Sequence, residues 1–164
     1  MKIIATIEGR DVWLHDDGHL SWLAKAAIDS DGCNPNGTPN NVYHDPYYQP
    51  QTSLKHSDGT SLNALTESYI VVPPAIIQGV GPIVLGCQAR VHYRGTGELT
   101  YAVVGDVGPH QKLGELSIRC AQRLKMPFDP NNGGDDNPDM VLYEIWPGTP
   151  AVVDGKQYPL QPSA

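Results

Sequence analysis

The sequence predicts a mainly β fold, a small β-barrel or sandwich with one or two packed helices and long loops. Short β-branched or aromatic runs bounded by glycine or proline recur along the chain. Strands and helices do not alternate as a parallel βαβ sheet requires. Glycine and proline are abundant, at 17 and 15 residues, yet 40% of the chain is hydrophobic, which argues against wholesale disorder. A length of 164 residues fits one domain, residues 1–164.

The N-terminal part reads as a hairpin followed by a long irregular segment. Ile3–Ile7 and Val12–Leu14 alternate like strands on either side of a Glu-Gly-Arg-Asp turn. The apolar segment Trp22–Ile28 is ambiguous between helix and strand, and it runs into acidic turn residues. Gly32–Thr66 shows neither strand nor helix periodicity. A loop of this length predicts a binding surface, an active-site lid or a disordered segment.

Regular patterns return in the middle of the chain. The residues are β-branched or aromatic and predict three further strands, Ser68–Pro73, Ile83–Leu85 and Ala89–Tyr93. A Gly-Thr-Gly turn predicts that Gln88–Arg94 pairs with Glu98–Val104 as an antiparallel hairpin. Asp106 is then expected just beyond the end of a strand.

The C-terminal part predicts one helix and further β-structure. Leu113–Leu124 has apolar residues at steps of three and four, and Pro127 follows it. Glu115 is therefore expected in the first helical turn. Val141–Trp146 predicts a strand, and the Asp-Gly pair within residues 152–156 predicts a terminal hairpin.

Charge and cysteine content exclude several classes of function. The net charge is −7 and the basic residues are scattered, which argues against nucleic acid as a partner. No apolar run reaches the length of a membrane span. Cys33, Cys87 and Cys120 lack the spacing of a zinc or redox motif, so no metal site is expected. One disulfide with a free thiol and three reduced cysteines both remain open.

Two carboxylates are the candidate catalytic pair. Hydrolysis of a glycosidic bond needs one carboxylic acid to protonate the leaving oxygen and a second carboxylate to activate water or to attack the sugar. Asp106 at a strand end and Glu115 nine positions later could converge on one cleft. Spacing alone also permits a turn aspartate and a glutamate that interacts with a helix dipole.

The loop region supplies candidate substrate-binding residues. Asp29 and Asp31 alternate, so on a strand they would face the same side and could bind the amino groups of a sugar. Solvated acids of an Asp-Gly turn are the competing interpretation. Tyr43, Tyr47 and Tyr48 could stack on sugar rings or could hold the loop in place.

Four segments form a distinctive series along the chain. The most specific are the run from Tyr101 to Asp106 and the Leu-Gly-Glu-Leu-Ser run at residues 113–117, followed by Ala121 and Leu124. Upstream lie the Asp-rich segment Ala27–Gly32 and the Tyr-to-Pro strand Tyr69–Pro73. Together these segments resemble the fungal-type chitosanases of glycoside hydrolase family 75, and the resemblance covers about residues 27–124.

The resemblance implies a double-psi β-barrel-like fold, no cofactor, and inverting endo-hydrolysis of β-1,4 linkages in chitosan with Asp106 and Glu115 essential. The substrate-binding candidates are then Asp29, Asp31, Tyr43 and Tyr101. Cys87 and Cys120 lie near cysteine positions of the family, so they form the bridge if one exists.

The resemblance also implies an extracellular or periplasmic site of action, although no signal peptide is visible, and we expect a monomer. Two alternatives stay open. One is a peptidoglycan hydrolase or lytic transglycosylase on the same barrel, associated with a phage or a secretion system. The other is a non-catalytic carbohydrate-binding or virion structural module, in which Asp106 and Glu115 would lie far apart or in salt bridges.

Overall fold

A computed structural model describes residues 1–81 and 84–161. It contains eleven strands in these ranges: β1 Lys2–Ile7, β2 Arg10–Leu14, β3 Leu20–Ala24, β4 Ala27–Asp29, β5 Tyr69–Val72, β6 Cys87–Tyr93, β7 Leu99–Val107, β8 Glu115–Ser117, β9 Val141–Pro150, β10 Val152–Val153 and β11 Lys156–Gln157. The helices of the described ranges are α1 Pro74–Val80 and α2 Ile118–Arg123. Neither helix is long and apolar enough to cross a membrane.

Nine of these strands form one curled sheet. The order is β1-β2-β3-β9-β6-β7-β5-β8-β4, and the sheet curls into a half-barrel. Most neighbours are antiparallel, but β5 pairs with β7 in parallel and β4 pairs with β8 in parallel. The predicted mainly β class, with two short helices and long loops, is confirmed. Strands from both ends of the sequence belong to the same sheet.

The predicted N-terminal hairpin is confirmed as β1 and β2. Glu8 and Gly9 form its turn, and both have positive φ, 52° and 74°. Positive φ at both central residues is the type I′ geometry, whose twist matches that of the flanking strands. The ambiguous Trp22–Ile28 segment is strand, divided between β3 and β4.

The long loop between β4 and β5 packs against the sheet through buried leucines. Leu54 and Leu62 are fully buried, and the Leu54 N–H donates to the carbonyl of Gly105 in β7 at 3.0 Å. Residues 30–68 contain isolated β-bridges but none of the named strands, which agrees with the predicted loop. The loop therefore covers the part of the sheet where β5, β7 and β8 lie side by side.

A buried glutamate ties the C-terminal hairpin to this loop. Glu67 accepts hydrogen bonds from the Lys156 ammonium at 2.7 Å, the Tyr158 hydroxyl at 2.9 Å and the Asn63 N–H at 2.7 Å. The His56 ring nitrogen lies 2.7 Å from the same carboxylate. Burial raises the pKa of Glu67, but the hydrogen bonds from Lys156 and His56 outweigh it, and the pKa is lowered overall. The ionised carboxylate of Glu67 therefore connects the C-terminal segment of β10 and β11 to the long loop.

The prediction of a helix over Leu113–Leu124 is wrong in its first half. Glu115–Ser117 is strand β8, which fills the space between β5 and β4, and α2 begins only at Ile118. The Ser117 hydroxyl caps α2 by accepting the N–H of Cys120 at 3.1 Å. A short buried strand followed directly by a helix gives apolar spacings that sequence alone cannot separate from one long helix.

Two further expectations about the middle of the chain need correction. Val84 and Leu85 lie in a bend and a turn instead of a strand, and Ile83 lies outside the described residues. Asp106 does not follow a strand end, because β7 continues to Val107. Helix α1 was not predicted, although Pro74 at its first turn is a helix-start signal.

Of the two alternatives left open for the cysteines, the structure has three reduced thiols, and Cys87 and Cys120 form no bridge. Cys33, Cys87 and Cys120 are all buried free thiols. Cys87 begins β6, where it contacts the backbone at Trp146, whereas Cys120 on α2 hydrogen-bonds toward Ser68. Burial raises the pKa of each of these two thiols to about 12, so both stay protonated at neutral pH.

Candidate active site

The two predicted catalytic carboxylates flank the same residue of the sheet. Val71 in β5 pairs with Asp106 of β7 on one side and with Glu115 of β8 on the other. Residues paired across neighbouring strands project from the same face. Ala27 of β4 pairs with Glu115, so Asp29, two positions later, faces that side as well. Sheet pairing therefore gathers three acids from three strands on one face.

A β-bulge turns Asp106 toward this face. Ile70 pairs with Val104 and Val71 pairs with Asp106, so one step along β5 corresponds to two steps along β7. Gly105 is the extra residue. Without the bulge, Asp106 would share the face of Val104, which is fully buried. Bulges of this kind re-aim side chains next to active sites.

A second glycine sets the position of Glu115. Gly114 has a φ of +95°, and a Cβ there would lie 2.1 Å from the Lys25 carbonyl oxygen. Its own carbonyl accepts the N–H of Ala27 at 2.9 Å, which starts the parallel pairing of β4 with β8. Only glycine combines this conformation with this close approach. Both Gly-acid pairs of the sequence thus have a backbone reason for the glycine.

Asp106 is held in place by three hydrogen bonds. Its Oδ1 accepts the Ser53 N–H at 3.0 Å, the Ser53 hydroxyl at 2.8 Å and the Val107 N–H at 3.0 Å. The side chain is only 8% exposed. Burial raises the pKa of Asp106, and the Ser53 and Val107 hydrogen bonds oppose that rise by stabilising the ionised form. Asp106 is a fixed carboxylate that accepts hydrogen bonds.

Glu115 sits in a different environment. It lines an open cleft, and no hydrogen bond to its carboxylate forms among the described residues. Burial raises the pKa of Glu115, and the nearby Asp106 charge raises it further, whereas Lys25 and Lys112 lower it. The net direction is upward, which favours the protonated acid. The pKa of Asp106 is raised overall as well, so the two carboxylates differ in their partners instead: Asp106 accepts three hydrogen bonds, and Glu115 accepts none among the described residues.

Asp29 and Asp31 complete an acidic cluster. One carboxylate oxygen each from Asp29, Asp31 and Asp106 lie within 4.8 Å of one another. Burial raises the pKa of Asp29 well above its usual range, and Asp31 adds to the rise. Burial raises the pKa of Asp31 to about 7, with an opposing hydrogen bond from the Gln49 N–H and further repulsion from Asp106 and Glu115. Three acids this close could hold a proton, an ammonium group or a metal ion.

The cluster opens into a cleft of about 760 Å³ between the sheet and the surrounding loops. Its lining includes Asp29, Asp31 and Glu115. Within residues 1–81 and 84–161, neither Asp106 nor Glu115 joins an ion pair. Asp106 and Glu115 thus lack the separation or salt bridging expected of a structural module.

The tyrosines divide between the cleft and other surfaces. Tyr47 lines the cleft and is 85% exposed, so its ring is free to contact a ligand. Tyr43 is outside the lining, because its ring packs edge-on against Phe128 at a centroid distance of 6.3 Å. Tyr48 holds the loop: its hydroxyl donates to the Gly32 carbonyl.

Tyr101 is also outside the cleft lining. It lies in β7 opposite Arg90, five residues before Asp106, and is 51% exposed. Because β7 rises about 3.3 Å per residue, Tyr101 is some distance along the strand from the acids. The structure thus brings Asp29, Asp31, Asp106 and Glu115 together, but not Tyr43 or Tyr101.

Sequence reasoning missed several residues around the acids. Ser53 lies in the loop without periodicity, and nothing in its neighbourhood identifies it as the partner of Asp106. Lys25 and Lys112 line the cleft near Glu115, but neither is part of a sequence motif. Only their position in the chain could have identified them, because both lie within three residues of a predicted site segment.

The chain matches a known protein family over most of its length. Residues 26–161 match a family model described as fungal chitosanase of glycosyl hydrolase group 75. The matched segment contains Asp29, Asp31, Asp106 and Glu115, whereas β1, β2, β3 and Lys25 precede it. No curated protein matches the chain significantly.

Proposed function

Because the chain belongs to the fungal chitosanase family, glycosyl hydrolase group 75, we propose that it hydrolyses β-1,4 linkages within chitosan, with Glu115 as general acid and Asp106 as general base. Family membership makes the protein a glycosidase of the chitosanase type. The specific linkage, the endo mode and the residue roles are our proposal. Its site of action is outside the cell, where such a polymer is found.

One observation carries the mechanism: Asp106 and Glu115 both pair with Val71, one on each side. Two strand spacings place their Cα atoms about 9.5 Å apart. Inverting glycosidases hold their carboxyl groups roughly 6.5 to 9.5 Å apart, whereas retaining enzymes hold them at about 5 Å. The wider spacing leaves room for a water molecule between the base and the sugar. A Cα separation does not fix the distance between the carboxyl groups, so we infer inversion from the resemblance to the family.

The reaction then proceeds in one step. The Glu115 carboxylic acid gives its proton to the glycosidic oxygen as the bond from that oxygen to C1 breaks. Asp106 takes a proton from a water molecule, whose oxygen attacks C1 from the opposite face and forms the new bond. The products are a new reducing end of inverted configuration and a chain with a free hydroxyl. Asp106 ends protonated and Glu115 ionised.

The remaining acids fit a cationic polymer. Amino groups of chitosan carry a positive charge below neutral pH, and Asp29 and Asp31 offer carboxylates in the cleft. An ammonium group bound there would lower the pKa of both acids and bring them to the ionised form. Tyr47 at the cleft can stack on a sugar ring. This proposal requires no cofactor.

The test is the release of reducing ends from chitosan and, in parallel, from purified peptidoglycan. Asp106→Asn and Glu115→Gln should each reduce chitosan cleavage by about 100-fold or more. Asp136→Asn is the matched control, since Asp136 is an exposed aspartate of the 129–139 loop. Proton NMR of the first products should show the α-anomer, because a β linkage is cleaved with inversion.

The outcomes separate the alternatives. Activity on peptidoglycan alone, with an anhydro sugar at the product end, would replace this proposal with a lytic transglycosylase. Inactivity on both polymers would favour a binding module. Loss of chitosan cleavage on addition of EDTA would assign a metal ion to the cluster of Asp29, Asp31 and Asp106.

A further inference from the structure

The parallel pairing of β4 with β8 fixes an order of charges along the cleft. Ala27 pairs with Glu115, and Asp29 pairs with Ser117. In both strands the chain direction therefore leads from the level of Glu115 to the level of Asp29. Lys25 lies two positions before Ala27, at the opposite end. Its ammonium donates to the Gly114 carbonyl at 3.2 Å, which places its charge at the start of β8.

Lys112 lies at the same end as Lys25. It precedes Glu115 by three residues, is exposed, and lines the cleft together with Lys25. The acidic end holds Asp29 and Asp31, with the carboxylate of Asp106 beside them. Along the direction of β4 and β8, two lysines therefore lie on one side of Glu115, and Asp29 and Asp31 lie on the other. Asp106 lies across the sheet, level with Glu115.

This order matters for a polymer whose units differ in charge. A deacetylated unit carries an ammonium group, whereas an acetylated unit carries a neutral amide. Like charges placed side by side in a binding site select against the wrong partner. An ammonium group is attracted to the aspartate end and repelled from the lysine end, whereas the neutral amide has no such penalty.

We propose that Lys25 and Lys112 form a subsite that selects an N-acetylated sugar unit on one side of the scissile bond, while the aspartate end takes a deacetylated unit on the other. This inference rests on the proposed chitosan hydrolysis and specifies its substrate pattern. Both lysines also lower the pKa of Glu115, the acid that we propose acts at the scissile bond. Lys25 precedes the matched family segment, so this selectivity comes partly from residues outside it.

Partially acetylated chitosan tests the inference. New reducing ends are labelled by cleavage in ¹⁸O-water, and mass spectrometry identifies the unit on each side of every cut bond. The wild-type protein should cut with an acetylated unit on one side at about ten times the frequency expected from composition. Lys25→Gln with Lys112→Gln should bring that ratio close to one and should speed cleavage of fully deacetylated chitosan.

Lys125→Gln is the matched control, because Lys125 is exposed, lies outside the cleft lining and pairs with Glu98 at 3.1 Å. Lys112→Gln alone provides a second variant that leaves the Lys25–Gly114 contact intact, and it should lower the ratio part of the way. Cleavage of chitosan with random units on both sides would overturn the subsite and leave the proposed function standing. No cleavage of any chitosan would overturn the proposed function itself. Activity confined to peptidoglycan would overturn both proposals, and the lysines would then be expected to bind the carboxylates of that polymer.

Discussion

Gly105→Ala tests the claim that a bulge aims the catalytic base. A Cβ at residue 105 would lie 2.7 Å from Leu62 Cδ1 and 2.7 Å from Tyr69 Cβ. Ordinary carbon contacts are about 3.5 to 4.0 Å, so each pair would overlap by about 1 Å. Overpacking of this size costs about 1 to 3 kcal/mol. For a chain of this length that corresponds to a fall in Tm of about 2 to 12 °C.

The larger effect should be on activity. Relief of the overlap must move β7 away from Tyr69 or the loop at Leu62, and Asp106 is the next residue. A catalytic group misplaced by about 1 Å can cost about 100-fold in rate. We therefore expect chitosan cleavage by Gly105→Ala to fall by roughly that factor at a temperature where circular dichroism still shows folded protein.

Gly79→Ala is the control for the general effect of replacing glycine. Gly79 lies in α1, and a Cβ there would meet nothing within 4 Å. Because alanine favours helix over glycine by up to about 1 kcal/mol, this variant should be as stable as the wild type or more so. Gly105→Ala with the Tm and activity of Gly79→Ala would refute the role of the bulge.

Three further expectations concern charge and thiols. Asp45→Asn removes an acid whose charge raises the pKa of Glu115, so that pKa should fall and the alkaline limb of the pH–rate profile should move to lower pH; an unmoved limb would contradict this. Glu67→Gln should destabilise the protein by about 3 kcal/mol in urea unfolding at pH 7. Because the pKa of Glu67 is lowered on folding, that difference is present above the ordinary glutamate pKa and is lost as pH falls through the folded value; a constant difference down to pH 2 would count against it. Cys87 and Cys120 should resist a thiol reagent until the protein unfolds, and reductant should leave Tm unchanged, whereas a fall in Tm on reduction would indicate a bridge.

Much of the fold was readable from local patterns. Both terminal hairpins carry a turn whose two residues have positive φ, Glu8–Gly9 and Asp154–Gly155. The β6–β7 hairpin was predicted with its partners, since His92 pairs with Leu99 and Gln88 with Val103. These features depend on neighbouring residues and therefore show in the sequence. The double-psi arrangement of the barrel remains a prediction.

The candidate site was predicted in part. The motif pairs Gly105–Asp106 and Gly114–Glu115 identified the two acids, but the sequence suggested a strand end and a helix start for them. Both lie in strands, because β8 occupies a position between β5 and β4 that long-range pairing creates. Periodicity over so few residues does not distinguish a three-residue strand from a first helical turn.

Residue types in local patterns determined that this is a mainly β protein with a long loop, and the resemblance to a family supplied the candidate carboxylate pair. Only the tertiary structure decided which side chains meet: Ser53 with Asp106, Asp29 and Asp31 with the same acid, and Lys25 with the start of β8. Contacts between residues far apart in the chain follow from sheet register and curling. Register is a property of all paired strands together, so no single segment contains it.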